Sequence, residues 1–228
     1  MAHGAVNEKL PQLRILDENQ THTFIIPVKK INEGHDVSAF LTSKAYSDIM
    51  TFVLQLNYAM FPNFIPCPKE GQDNIKTWEL DDSGNAFSDT VNRLRNLLVD
   101  IEAIIDKTPP DPGPRRFGNI SFRKWAESVE SQSKALLERH LPLQLLRVRS
   151  SSDIVAHDEL ASYLLGSFGS SQRLDYGTGH ELSFLAFLGS IWKLGGFEHS
   201  KIPGDEERGI VLGVIAPYVV LKTIGWAV

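Results

Sequence analysis

The chain has 228 residues, 42% of them apolar, which is enough to bury a core as one large domain or two small ones. A net charge of −5 without a basic stripe excludes a nucleic-acid module; the nearest thing to one, Arg115, Arg116, Arg123 and Lys124, is too small a cluster. The single cysteine, Cys67, excludes an intrachain disulfide framework and a cysteine zinc site, and the polar start of the chain carries no signal peptide, so a cytoplasmic and also nuclear setting is expected.

Residues 1–20 are polar and are expected to form a flexible terminus ahead of one helical domain over 21–228. Residues 23–28 make a short extended entry that ends at Pro27. Over residues 43–60, Tyr46, Ile49, Phe52, Val53, Leu56 and Met60 recur at three- and four-residue steps, which predicts an amphipathic helix capped by Thr42 or Ser43. Pro62, Pro66 and Pro68 stop it. A second helix is predicted over 88–106, with Val91, Leu94, Leu98, Ile101 and Ile105 on one face, and a proline-rich loop follows it. A third starts near Asn119 and runs toward Leu141; further helices are expected over 143–149, 158–168, 178–192 and 205–224. No alternating run with a hairpin turn occurs, so the fold class is all-α. Residues 209–228 carry one charge, Lys222, and approach the length of a membrane span, but Pro217, the interior glycines and the off-centre lysine argue against an anchor.

The densest chemistry lies in Arg173, Leu174, Asp175, Tyr176, Gly177, Thr178, Gly179, His180 and Glu181, directly before an apolar periodic stretch. Three chemistries fail here. The Asp-Thr-Gly of aspartic proteases belongs to a β-rich lobe and a second copy, and neither is present. His180-Glu181 opens a zinc-protease pattern, but the position four residues after His180 is Phe184. Gly177-Thr178-Gly179 lacks the lysine of a phosphate-binding P-loop. A glycine turn at a helix start remains, where uncovered N–H groups and Arg173 suit an anion. The plainer alternative is a tight turn capped by Thr178, with Asp175 satisfying free N–H groups. A second constellation, Arg115, Arg116, Phe117, Gly118 and Asn119 with Phe122, Arg123, Lys124 and Trp125, is either a partner edge or a helix start capped by Asn119 with its aromatics in the core. The other histidines show no metal-ligand spacing, so no metal site is expected from the residues.

Leu174-Asp175-Tyr176-Gly177-Thr178-Gly179-His180-Glu181 followed by Phe184-Leu185-Ala186-Phe187-Leu188 resembles the signature of the phosphotyrosyl phosphatase activator (PTPA) family. Arg116-Phe117-Gly118-Asn119 with Phe122-Arg123-Lys124-Trp125 resembles its second motif, and residues 24–60 resemble its N-terminal segment. The resemblance covers about residues 20–222. It implies a multi-helix fold with core, linker and lid parts around a deep pocket. The implied function is activation of type 2A serine/threonine protein phosphatases through their catalytic subunit, with peptidyl-prolyl cis/trans isomerase activity on a proline-containing segment and with ATP and Mg2+ bound. By motif, the nucleotide contacts fall on Arg173, Thr178 and Gly179. Asp175, Tyr176, Gly177, His180, Glu181, Arg116 and Asn119 would shape the pocket or the partner surface. The family continues into Glu-Pro-Ala-Gly-Ser and Gly-Val-Trp-Gly-Leu-Asp-Asp segments, which this chain lacks. The C-terminal part of the fold and its magnesium side are therefore expected to be missing. A non-enzymatic phosphatase-binding adaptor and a non-functional truncated product stand as the alternative readings.

Overall fold

The computed structural model describes residues 12–61, 63–65, 74–76, 86–113, 119–198 and 202–227. Residues 1–11, Cys67 and the Arg115–Gly118 part of the second motif, Arg116 included, lie outside them. The first helix, α1 (Gly34–Leu41), has no counterpart in the periodicity. The Asp36 carboxylate starts it by accepting the Asn32 and Glu33 N–H groups at 2.9 and 3.0 Å. Ser43 then caps α2 (Lys44–Ala59) by accepting the Tyr46 N–H at 3.1 Å. Beyond α2 lies a short antiparallel ribbon, β1 (Asn63–Ile65) paired with β2 (Asn74–Lys76), with Phe64 opposite Ile75. Strands of three residues are too short to leave an alternating pattern in the sequence. The fold is otherwise helical, as expected.

Ser88 accepts the Val91 N–H at 3.2 Å and opens α3 (Asp89–Asp106), whose apolar face is buried from Val91 to Ile104. It packs on α4 (Ser121–His140), where Phe122, Trp125, Val129, Leu136 and Leu137 are buried. The short α5 (Leu143–Leu146) ends three residues before the predicted limit. Next come α6 (Ala156–Gly166) and α7 (Thr178–Lys193); α4 packs on α6, and α6 and α2 pack on α7. The chain closes with α8 (Asp205–Ile210), a π-helical turn (Val211–Ile215) and α9 (Ala216–Ala227). Pro217 explains the π turn. It has no N–H for the Gly213 carbonyl, and its ring needs room that the wider turn supplies. Gly213 is required there for a second reason: a Cβ would lie 2.6 Å from Val91 Cγ1 on α3. No helix among the described residues is long and apolar enough to cross a membrane.

The flexible terminus expected over residues 1–20 does not hold from residue 12 onward. Leu13 is buried, and its backbone is fully engaged: its N–H donates to Gln55 Oε1 at 2.9 Å and its carbonyl accepts from Trp192 Nε1 at 3.0 Å. Gln55 in turn donates to Glu207 Oε1 at 2.9 Å. A buried main chain must find partners of this kind, and only tertiary structure reveals them.

Charge pairs pin the α3–α4 contact. Asp100 accepts from His140 Nε2 at 2.8 Å and from Arg139 Nη1 at 3.0 Å. The His140 hydrogen bond holds the Asp100 carboxyl below the usual carboxylate range. A depressed folded pKa gives stability that is complete above the unfolded value and is lost as pH falls through the folded one. Asp100→Asn is therefore expected to flatten the fall of Tm below about pH 4. An acid-side profile identical to wild type contradicts this role.

Candidate functional site

The signature begins in a closed loop between α6 and α7. Ser170 and Asp175 form an antiparallel bridge, with the Ser170 N–H donating to the Asp175 carbonyl at 3.0 Å and the Leu174 N–H to the Ser170 carbonyl at 2.8 Å. Leu174 has φ 54°, a left-handed conformation that costs a non-glycine residue about 1–2 kcal/mol. Its side chain packs against the core and anchors the turn. The second motif reaches this loop from α4. Arg123 donates through Nε to the Ser171 carbonyl at 3.0 Å and through Nη2 to the Gln172 carbonyl at 3.2 Å. Behind it, Trp125 packs edge-on to Phe168 with ring centroids 5.4 Å apart. The two motifs, far apart in sequence, thus form one local structure.

Arg173 and Asp175 face each other across the turn. Arg173 donates through Nε and Nη2 to the two Asp175 carboxylate oxygens at 2.7 and 3.2 Å, and this bond holds the Asp175 carboxyl below its usual range. Both side chains are exposed. Asp175 therefore serves Arg173 and not the helix, so the alternative of a capped turn is not realised. Gly177, in an extended conformation, occupies the cap position of α7 and supplies no side-chain cap; Thr178 is already the first helical residue. The His180 N–H donates to the Gly177 carbonyl at 2.9 Å. The N–H groups of Thr178 and Gly179 have no hydrogen-bond partner among the described residues.

The glycines here are not demanded by the fold. A Cβ added at Gly177 or Gly179 would meet nothing within 4 Å. Glycine inside a helix costs up to about 1 kcal/mol relative to alanine, so Gly179 carries a penalty with no internal reason. Among the described residues, the space over Gly177 and Gly179 is open.

The far side of the segment is held by aromatic and charged contacts. Tyr218 on α9 is buried and donates its hydroxyl proton to the Ser167 carbonyl at 2.7 Å. Tyr176 must then donate to Tyr218 across 3.0 Å. Burial drives the Tyr218 hydroxyl pKa far upward, so the chain of hydroxyls stays protonated. His180 Nδ1 lies 2.6 Å from the Gly166 carbonyl, which can only accept, so this nitrogen carries the proton. Glu181 pairs with Lys222 of α9, whose ammonium also sits 4.9 Å from the centre of the Tyr176 ring. Phe184 stacks on Tyr218 with centroids 3.7 Å apart.

Of the predicted site residues, Arg173, Asp175, Tyr176, Gly177, Thr178, Gly179, His180 and Glu181 are thus brought together. Asn119 lies apart from this segment in sequence, at the entry to α4. Its side chain accepts the Asp111 and Ser121 N–H groups at 3.1 and 2.9 Å and closes the turn into α4. The residues that sequence reasoning did not place at the site are Arg123, Ser167, Tyr218 and Lys222. Only Arg123 carried a signal, as a member of the second motif. A separate cleft of about 310 Å³ lies along α7 between α2 and α6, with Leu13, Ile49 and Phe52 on its apolar side and Lys44, Asp48 and Lys193 on its polar side.

A family model described as phosphotyrosyl phosphate activator (PTPA) protein matches residues 27–224. The chain is 54% identical over 215 residues to serine/threonine-protein phosphatase 2A activator 1 of Emericella nidulans, an alignment that covers 92% of this chain and 48% of that protein. The protein of the same name from Aspergillus fumigatus is 54% identical over 211 residues, covering 92% of this chain and 43% of the relative. The crystal structure of the PP2A phosphatase activator Ypa1 PTPA1 superposes with a TM-score of 0.71 at 29% identity, over 95% of this chain and 62% of that one. The chain therefore spans about half the length of the curated relatives it matches, or less. With the family model covering most of its length and the signature loop clamped by the second motif, the chain belongs to the PTPA family.

Proposed function

We propose that the chain acts in the activation of type 2A serine/threonine protein phosphatases, binding ATP at the start of α7 and accelerating cis/trans isomerisation of a prolyl bond. The observation that carries this reading is the uncapped first turn of α7, where the Thr178 and Gly179 N–H groups have no partner among the described residues and Arg173 stands in the loop that leads into the helix. Such a turn suits a phosphate group: N–H donors and the helix dipole favour negative charge, and an arginine adds a planar fork of donors. Arg173, Thr178 and Gly179 would hold the phosphates; the fold has no structural need for either glycine. When bound, ATP would supply a dense negative charge at the entry to α7.

Magnesium accompanies ATP in the family resemblance. Among the described residues no group of three or more His, Cys, Asp or Glu side chains could hold a metal ion, and no step here runs through one. Isomerisation asks for neither a nucleophile nor an acid–base pair. The barrier of about 18–20 kcal/mol arises from amide resonance, which a site lowers by binding the twisted amide better than either planar form. The cleft beside Phe52 favours a proline-containing peptide as ligand: its α7 wall, Leu185, Ala186 and Gly189, lies roughly one to two turns beyond the signature, facing the apolar Ile49 and Phe52 of α2.

The test is reactivation of an inactive type 2A catalytic subunit by this chain. Wild type is expected to restore phosphatase activity only with ATP, and Arg173→Ala to lose most of the effect. Equal reactivation by both proteins, or reactivation that ignores ATP, contradicts the reading. An adaptor without catalysis would bind the phosphatase yet leave prolyl exchange in a test peptide at its uncatalysed rate.

A further inference from the structure

We propose that Ser152 is a phosphorylation site for a serine kinase that reads arginines, and that the added phosphate fixes the extended segment beside the clefts of α7. The inference is independent of the reading given to the start of α7. It begins in residues 147–155, the largely exposed link between α5 and α6, where the sequence runs Arg147-Val148-Arg149-Ser150-Ser151-Ser152-Asp153. Arginines five and three residues before a serine make the charge pattern that an acidic kinase groove selects. The other pair of arginines at this spacing, Arg93 and Arg95, leads to Leu98 inside α3, so the pattern occurs once in the chain.

The structure singles out the same serine. Ser150 is half-buried; its hydroxyl donates to the Ile154 carbonyl at 2.5 Å and accepts the Ser152 N–H at 3.2 Å. The Ser151 hydroxyl lies 2.8 Å from Thr23 Oγ1. Ser152 is exposed, and its hydroxyl reaches only the Ile154 carbonyl at 3.3 Å and Ser150 Oγ at 3.5 Å, two groups already engaged with each other. It is the hydroxyl most cheaply freed. Arg147 and Arg149 are exposed as well, and their guanidinium groups have no partner among the described residues. In the transfer, Ser152 Oγ bonds to the γ-phosphorus of ATP held by the kinase, and the bond from that phosphorus to its bridging oxygen breaks. ADP leaves, and the catalytic aspartate of the kinase takes the hydroxyl proton.

A phosphoserine carries nearly two negative charges. Two arginines against Asp153 leave residues 147–153 with one net positive charge, so attraction outweighs repulsion. The same loop clasps the N-terminal part of the chain: the His22 N–H donates to the Arg149 carbonyl and the Ser151 N–H to the His22 carbonyl, each at 2.9 Å. His22, Thr23 and Phe24 wall a cleft of about 270 Å³ that shares Glu159, Ser190 and Lys193 with the cleft beside Phe52. A phosphate that captures Arg149 therefore tightens the clasp on this wall.

The test incubates the folded chain with ATP, Mg2+ and a purified AGC-class serine kinase and maps the product by mass spectrometry. One phosphate, on Ser152, is expected. Arg149→Ala is expected to slow the transfer by about 10- to 150-fold, the factor of a charged hydrogen bond. In the phosphorylated chain, amide hydrogen exchange at His22 and Ser151 should slow by about 1.4- to 5-fold, the range of an exposed ion pair. Arg173→Ala should be modified at the wild-type rate, which separates this result from the fate of the nucleotide reading. Melting temperatures confirm that each variant is folded. No transfer to the folded chain, phosphate on Ser150 or Ser151 in place of Ser152, an equal rate for Arg149→Ala, or unchanged or faster exchange after phosphorylation overturns the proposal.

Discussion

Phe184→Ala is expected to lower the unfolding free energy by about 3–5 kcal/mol, a large share of the total stability of a domain. Phe184 is 2% exposed, lies nearly parallel to the Tyr218 ring and also touches Phe187. It is where the first turns of α7 meet α9. Truncation would leave a cavity between two helices that Tyr218 also ties to the Ser167 carbonyl and to Tyr176. The effect should therefore spread beyond stability. With the stack gone, Tyr218 can turn, and the Tyr176 hydroxyl loses its acceptor. Urea denaturation reads the first effect, and Phe184→Leu, which keeps much of the volume, should cost less than half as much. A cost below about 1 kcal/mol for the alanine variant would mean that this contact does not hold the segment in place.

Arg173→Ala is expected to weaken ATP binding by about 10- to 150-fold, the factor that matches a charged hydrogen bond worth about 1.5–3 kcal/mol. The upper part of that range is favoured by what the substitution leaves behind. Asp175 would lose its partner while remaining beside the α7 start, so a bare carboxylate would then repel the incoming phosphates. The double variant Arg173→Ala with Asp175→Asn should accordingly regain part of the loss. Because both side chains are exposed, neither change should disturb folding, and Tm is expected to stay within a few degrees of wild type. Retained affinity in Arg173→Ala would place the phosphates elsewhere.

Helices with a capping serine and a long apolar face were legible from sequence alone. Ser43 and Ser88 marked the starts of α2 and α3, and the periodicity gave their buried faces. The start of α7 at Thr178 was equally legible, since glycines precede an apolar run. What was hidden depends on contacts between distant residues. The α1 helix has no buried residue to create a pattern. Leu13 looked like part of a frayed end because its partners, Gln55 and Trp192, lie far along the chain. Nothing local predicts that Leu174 takes a positive φ, which a core contact and the Arg123 clamp support from outside.

The same division runs through the site. Residue types and spacing identified the segment from Arg173 to Glu181 and left two readings open, a capped turn or an anion site. In the fold Asp175 turns to Arg173, Thr178 lies inside the helix, and the cap position falls to Gly177. Asn119, a pocket or partner-surface residue by motif, closes a turn with Asp111 and accepts the Ser121 N–H, as the helix-start alternative expected. Tyr218 and Lys222 lay in a stretch that reads in sequence as an apolar helix. Their roles appear only because α9 crosses the start of α7.

If the first turn of α7 is an anion site, its backbone amides report on the ligand directly. In an NMR titration of the folded chain with ATP, the amide signals of Gly177, Thr178 and Gly179 are expected to shift most, with saturation at a common Kd. Shifts that leave these three amides unmoved and gather instead around the Phe52 and Lys193 cleft would contradict the account.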